Sequence, residues 1–176
     1  MQVRLWHSMF ILLLVVLFGG CQKNLSGDSS TANQSMPAVD KNVAGAETPN
    51  FNLEVILRNG SDGFGLVKFR QDNDAAKIVT LDTWVRNLEP NHSYLLQRAV
   101  DTQLDGNCTG TNWLTLGQGL QPQAIVTDDS GTGRAQLFRD LSAAPSGATF
   151  DIHFQIIDAT TQAVVLSSDC YTFTVR

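Results

Sequence analysis

Apolar and polar residues alternate one for one in the last two clearly patterned segments of the chain. In residues 150–156, Phe and Ile alternate with Asp, His and Gln, and a similar period of two recurs in residues 171–176. A period of two places successive side chains on opposite faces of an extended chain. The pattern predicts two β-strands, each with one apolar and one polar face.

The rest of residues 51–176 repeats this pattern in segments separated by turn residues. Alternation over residues 51–58 ends at Asn59-Gly60, a strong hairpin signal. No window of similar length shows the apolar spacing of a helix. We therefore expect one all-β domain, an antiparallel β-sandwich of seven or eight strands. Further strands are predicted at residues 63–71, 77–88, 92–100, 113–116, 124–127 and 134–141.

The start of the chain is organised differently. Arg4 precedes an uncharged apolar run over residues 9–18, which ends in Gly19-Gly20-Cys21. This is the pattern of a secretory signal, and residues 17–21 resemble the lipobox of bacterial lipoproteins. The resemblance implies a signal peptide at residues 1–20 and a lipid-carrying Cys21. The alternatives are an ordinary cleaved signal and an uncleaved membrane anchor. The apolar run is too short for an anchor, because crossing a bilayer needs about 20 apolar residues.

Residues 21–50 have the composition of a tether. Ser, Asn, Ala, Gly and Asp dominate, and no aromatic residue occurs. Such a segment cannot bury enough apolar surface to offset its ordering entropy, and we expect a flexible chain reaching roughly 30 Å. A segment that folds onto a partner is the alternative. Gln22, in place of Asp, resembles the pattern of lipoproteins sent to the outer membrane.

The charge limits the possible partners. The chain has a net charge of −5. Without residues 1–20 the net charge becomes −6, because Arg4 is the one residue among them that is counted as charged. This balance argues against nucleic acid and against electrostatic docking on anionic lipid. The expected membrane partner is therefore reached through the acyl chains on Cys21, in the bacterial cell envelope. Triplets such as Asn59-Gly60-Ser61 leave a glycosylated eukaryotic secretory protein as an alternative.

The cysteine count supports export. The chain has three Cys, and an odd number is unusual in an exported protein. If lipid occupies Cys21, Cys108 and Cys170 remain as one disulfide pair in an oxidising compartment. We expect this bridge to hold the loop at residues 101–111 over an outer face or edge of the sheet.

The layout of the predicted strands resembles superoxide-dismutase-like sandwiches and the related chordin-repeat domains. A strand over residues 79–88, the turn Leu88-Glu89-Pro90-Asn91 and an outgoing strand are shared shapes. The resemblance implies a superoxide-dismutase-like arrangement, with an immunoglobulin-like one as the alternative. In the dismutases the outgoing strand carries a His-x-His pair of copper ligands, and residues 94–98 contain no histidine. The family's chemistry is therefore not expected.

The residues themselves offer few nitrogen or sulfur ligands for a metal. The mature chain offers only His92 and His153, both expected at the surface and too few for a copper or catalytic zinc centre. We expect no metal and no cofactor. Calcium at Asp-rich loops is the open alternative, although these residues also suit tight turns. The candidates are Asp101, Asp105 and Asp128-Asp129-Ser130.

Two tryptophans are candidates for a partner surface. Trp84 falls on the polar side of its predicted strand, and Trp113 follows the predicted loop at residues 101–111. Exposed aromatic residues are frequent at binding surfaces, whereas a covering loop or a bulge at Trp84 is the alternative.

Since no catalytic pattern is present, we expect a lipid-anchored lipoprotein with a non-catalytic binding or structural domain. Its partner would be an envelope protein or polysaccharide. An envelope enzyme or metal-binding protein of superoxide-dismutase-like fold is the alternative.

Overall fold

The computed structural model describes residues 51–60 and 62–176, and the predicted signal, Cys21 and tether lie outside them. The described residues form twelve strands, and none of them belongs to a helix long and apolar enough to cross a membrane. The strands are β1 Asn52–Arg58, β2 Phe64–Gln71, β3 Ile78–Arg86, β4 Ser93–Asp101, β5 Leu114–Thr115, β6 Gly117–Gln118, β7 Gln121–Pro122, β8 Ala124–Val126, β9 Gly133–Asp140, β10 Thr149–Asp158, β11 Val164–Ser168 and β12 Tyr171–Thr174.

The strands belong to one sheet that nearly closes around its core. Its order is β5-β4-β10-β11-β1-β2-β3-β9-β6-β7, with β12 on β10 and β8 on β4. Thr127, just after β8, bridges to Gly133 at the start of β9. This bridge brings the β4 part of the sheet to the β9 part.

The prediction of an all-β domain is confirmed, and its finer description is corrected in two respects. The sheet is mixed, because β6 pairs parallel with β9 at Gln118 and Phe138. The structure has twelve strands among the described residues, where seven or eight were predicted: the predicted segments include β5 and β8, at residues 113–116 and 124–127, and omit β6, β7 and β11. Strands β6 and β7 have two residues each, too few for a period of two to be visible in the sequence, and β11 begins with three consecutive apolar residues that do not alternate.

Alternating burial shows why the longer segments form strands. In β1, exposed and buried residues alternate along the whole strand. The buried sides of the strands meet in a core in which the ring of Phe69 packs edge-on against Phe173, at 4.6 Å between centroids, and against Phe154, at 6.1 Å. Burying one such side chain contributes about 1.5–3 kcal/mol.

Strand β10 is buried on both faces. Ile152, Phe154 and Ile156 face the core, and Asp151 and Gln155 on the opposite face are also buried. The loop before β5, residues 102–113, which we call the cysteine loop, covers part of that face. The predicted disulfide is confirmed: Cys108 and Cys170 are bridged, with their Cα atoms 5.3 Å apart.

Candidate functional site

The outer side of the sheet at β1, β2, β3 and β9 carries closely spaced cations and aromatic rings. The register aligns Ile56 with Leu66, Leu66 with Trp84, and Trp84 with Arg134 in one row across the four strands. We call this surface the cationic face. It comprises Glu54, Ile56, Arg58, Phe64, Leu66, Lys68, Arg70, Thr80, Asp82, Trp84, Arg86, Arg134, Gln136, Phe138 and Asp140.

Trp84 lies near the centre of this face, on the polar side of its strand as the sequence predicts. The guanidinium of Arg134 is 4.7 Å from the centre of the indole ring, and the ammonium of Lys68 is 5.4 Å from it. Arg134 is fixed there by donating to both carboxylate oxygens of Asp82, at 3.0 and 2.9 Å from Nη2. The ring therefore has two cations beside it, at distances typical of cation–π contacts.

A second aromatic contact lies at one edge of the face. Arg58 and Arg86 lie 5.0 and 4.5 Å from the centre of the Phe64 ring. Neither arginine, nor Lys68, forms an ion pair with a carboxylate of the described residues. Arg70, in contrast, pairs with Glu54 at 3.1 Å. Three cations of the face are thus held by rings and form no ion pair with a carboxylate of residues 51–60 or 62–176.

The charge of the domain is unevenly distributed. Residues 51–176 contain nine Lys and Arg against fourteen Asp and Glu, a net charge of −5. Five of the nine cations lie on the cationic face, which holds only three carboxylates, so this face is net +2. The remaining surface is therefore net −7. An acidic domain thus carries one locally basic surface.

Trp113 occupies a different region. Its half-buried ring lies 4.6 Å from the ring of His153 on β10, and strands β11, β1 and β2 separate β10 from β3 in the sheet. His153, expected at the surface, is half-buried, and its Nε2 contacts the carbonyl oxygen of Gly110 at 3.0 Å. Trp113 and His153 thus hold the cysteine loop, and Trp113 does not extend the cationic face.

His92 belongs to a small polar cluster that sequence reasoning did not predict. Its Nε2 contacts Oδ2 of Asp158 at 2.6 Å, and its Nδ1 is 3.8 Å from Oε2 of Glu89. Hydrogen bonds from the backbone amides of Thr161 and Thr160, together with the contact with His92, lower the pKa of Asp158 to about 2, against the raising effect of burial. The contact ties the turn before β4 to the turn after β10.

One imidazole nitrogen and two carboxylate oxygens of this cluster lie within 4.8 Å of one another. Three such donors can contribute to a divalent-metal site. The His92–Asp158 distance, however, is that of a hydrogen bond, and the second oxygen of Asp158 accepts from two backbone amides. These contacts account for the cluster as a structural link between two turns.

The calcium candidates act within their own loops. Oδ1 of Asp128 accepts from the amides of Ser130 and Thr132 at 2.9 and 3.0 Å. Oδ2 of Asp101 accepts from the amides of Thr109 and Gly110 at 2.7 and 2.9 Å. Such local hydrogen bonds are the reason that Asp is favoured in turns, and they explain why these loops are rich in Asp.

Part of the cationic face could be predicted from sequence and part could not. The outward position of Trp84 follows from its phase with Asp82 and Arg86. The neighbours of Phe64 required the register of three strands, which periodicity does not provide.

No protein-family model matches the chain, and a search of curated proteins finds no match. Function therefore has to be argued from the residues themselves.

Proposed function

We propose that this chain is a lipid-anchored lipoprotein of the bacterial envelope, held in the outer membrane by lipid on Cys21, and that its β domain is a non-catalytic binding module. The lipobox resemblance of residues 17–21 supports the anchor. The disulfide adds support, because it uses two of the three cysteines and leaves Cys21 for lipid. Within this proposal the domain is a superoxide-dismutase-like or immunoglobulin-like sandwich.

The observation that carries the binding role is the cationic face. Arg58, Lys68 and Arg86 are positioned by aromatic rings and lack carboxylate partners among the described residues. These cationic side chains are already held in place but are not neutralised. Less side-chain freedom is therefore lost when an anionic partner binds them. The face is therefore suited to bind negative charge.

The partner that fits best is an acidic polysaccharide. Ile56, at 44% relative exposure, is the one large side chain of this face among the described residues that is prominently exposed and apolar. The centre of a protein–protein interface is usually depleted in charge, whereas here cations lie in the central rows. Closely spaced cations on the outer side of the sheet suit a chain of carboxylates, each able to form a charge-assisted hydrogen bond.

The test is binding to a polyuronate of defined length. We expect the mature exported chain, with its disulfide intact, to bind the polyuronate and to lose affinity as salt is raised, because the contact is between exposed charges. The double variant Lys68→Gln, Arg86→Gln should bind several-fold more weakly. Lys77→Gln, which removes one cation outside the face, should bind like the parent chain.

Three further ligands separate the alternatives. A neutral glucan should not bind, and poly-glutamate binding more tightly than the polyuronate would favour an acidic protein partner instead. Duplex DNA of equal charge should bind no better than the polyuronate. Equal binding by the parent chain and the double variant would remove the cationic face from the proposal.

A metal-binding role is the second candidate, supported by the three donor atoms of Glu89, His92 and Asp158. Titration with Zn²⁺ or Mn²⁺ tests it, with His92→Gln as the variant expected to lose binding. Saturable binding that depends on His92 would favour this candidate over a purely structural cluster.

A further inference from the structure

Two arginines occupy core-facing positions of the sheet. In β4, Arg98 is in phase with the buried Tyr94 and Leu96. In β9, Arg139 is in phase with the buried Ala135 and Leu137. Side chains two residues apart in a strand lie on the same face, so both arginines project from the inner side of the sheet, which is opposite to the cationic face.

The two side chains line one cavity of about 40 Å³ at the edge of the core. The other lining residues are apolar, and none of them is a carboxylate. Burial lowers the pKa of Arg98, and the nearby charge of Arg139 lowers it further. The apolar lining consists of Phe69, Phe150, Phe154, Phe173 and five aliphatic residues.

No carboxylate of the described residues pairs with either arginine. Asp140 follows Arg139 directly, but it is exposed, and its Oδ1 accepts from the amide of Ser142 at 2.7 Å. Arg139 donates from Nη1 to the carbonyl oxygen of Gly119 at 3.3 Å, which leaves most of its donors for another acceptor. Each guanidinium has five N–H donors in a planar fork.

Two like charges beside an apolar core repel each other and are costly without a counter-charge. An anion between them would remove this cost, and guanidinium groups bind oxyanions through paired, directional hydrogen bonds. The cavity is large enough for a small group, since one water needs only about 10–15 Å³. It is too small for a long side chain or an acyl tail.

We propose that Arg98 and Arg139 form a binding site for a small oxyanion, a phosphate or a carboxylate group, at the mouth of this cavity. The site is independent of the cationic face, because it lies on the other side of the sheet. Bound there, the anion would link β4 to β9, two strands that are not neighbours in the sheet, and would stabilise the closure of the sheet.

The experiment uses the mature exported chain with inorganic phosphate and acetate as the probes, each at constant ionic strength balanced with sodium chloride. Binding to the folded state raises the midpoint of thermal unfolding with ligand concentration. We expect a saturable rise with at least one of the two probes, and calorimetric titration should give one site. The probe with the larger response identifies the oxyanion class.

Arg98→Met should weaken the binding of that probe by about tenfold or more, since it removes charge-assisted hydrogen bonds. Without added anion, the variant should melt at the same temperature as the parent chain or higher, because the repulsion is gone. Arg139→Gln should weaken binding of the probe as well. It provides the test of the site if Arg98→Met does not fold. Arg70→Met, on the cationic face, should keep the full response.

Two results would overturn the site. One is the absence of any saturable response to phosphate or acetate beyond that of chloride at the same ionic strength. The other is an equal response in the parent chain, Arg98→Met and Arg139→Gln. Neither result depends on polyuronate binding, so failure of this site and failure of the cationic face are distinguishable.

Discussion

At the scale of single residues, the cluster around Asp158 shows how two turns are joined. One oxygen of the carboxylate accepts from the amides of Thr160 and Thr161, and the other contacts His92. All three contacts favour the charged form, and they hold the pKa of Asp158 at about 2. An unfolded Asp has a pKa near 3.9, so the folded state binds this proton less readily than the unfolded chain.

This difference predicts the acid dependence of stability. A carboxylate with a lowered pKa contributes stability that is fully present above about pH 4 and is lost as the pH falls towards about 2. Asp158→Asn should therefore lower the free energy of unfolding at neutral pH, and the gap to the parent chain should close over this range. Chemical denaturation between pH 5 and pH 2 measures it. A gap that stays constant down to the lowest pH would contradict the assignment.

At the scale of elements, the cysteine loop is held over β10 by several independent contacts. Asp151 accepts from the amide of Gly106 at 2.9 Å and from the hydroxyl of Thr172 at 2.7 Å. His153 contacts Gly110, and the disulfide joins the loop to the chain just before β12. The disulfide is therefore one of several links between the loop and the sheet.

Removing the bridge should destabilise the domain without unfolding it. Replacing both Cys108 and Cys170 with Ser should cost about 2–4 kcal/mol, chiefly by freeing the unfolded chain, while Asp151 and His153 continue to hold the loop. Thermal unfolding measures the loss, and the circular dichroism of the variant should remain that of a β protein. Asp151→Asn, with the bridge intact, serves as the comparison. A variant without a cooperative transition would contradict this expectation.

The same elements show how far sequence reasoning reaches. Period-two patterns identified the strands β1 to β4, β9, β10 and β12, because one buried face imposes them, and missed β11, whose apolar run at residues 164–166 does not alternate. The polar face of β10 looked exposed, since its covering loop comes from residues distant in sequence. Strands β6 and β7 were missed because their pairing depends on the close approach of Gly117 to Gln121, which periodicity does not reveal.

The candidate sites were predictable to different degrees for similar reasons. Trp84 was identified from its phase alone, whereas its contact with Arg134 depends on the pairing of β3 with β9. Arg98 and Arg139 each break an apolar alternation, a signal present in the sequence. Arg98 and Arg139 face one cavity because the sheet nearly closes, and the sequence does not show this closure.

At the scale of the whole molecule, the proposed lipoprotein combines an anchor, a tether and an acidic domain with one basic face. The anchor and the tether are predictions from residues 1–50. A net negative domain on a long tether would be repelled by anionic headgroups, so only the cationic face would approach a polyanion readily. This arrangement favours a module that contacts material around the membrane more than the membrane itself.

The most direct test of the account is the state of Cys21 in the chain recovered from bacterial cells. Labelled palmitate and intact mass should show a first residue Cys21 that carries two or three acyl chains, together with recovery of the protein in the outer-membrane fraction. Cys21→Ala should abolish the label and release the chain from the membrane. An unlabelled chain that starts elsewhere, or membrane attachment that survives Cys21→Ala, would contradict the lipoprotein assignment.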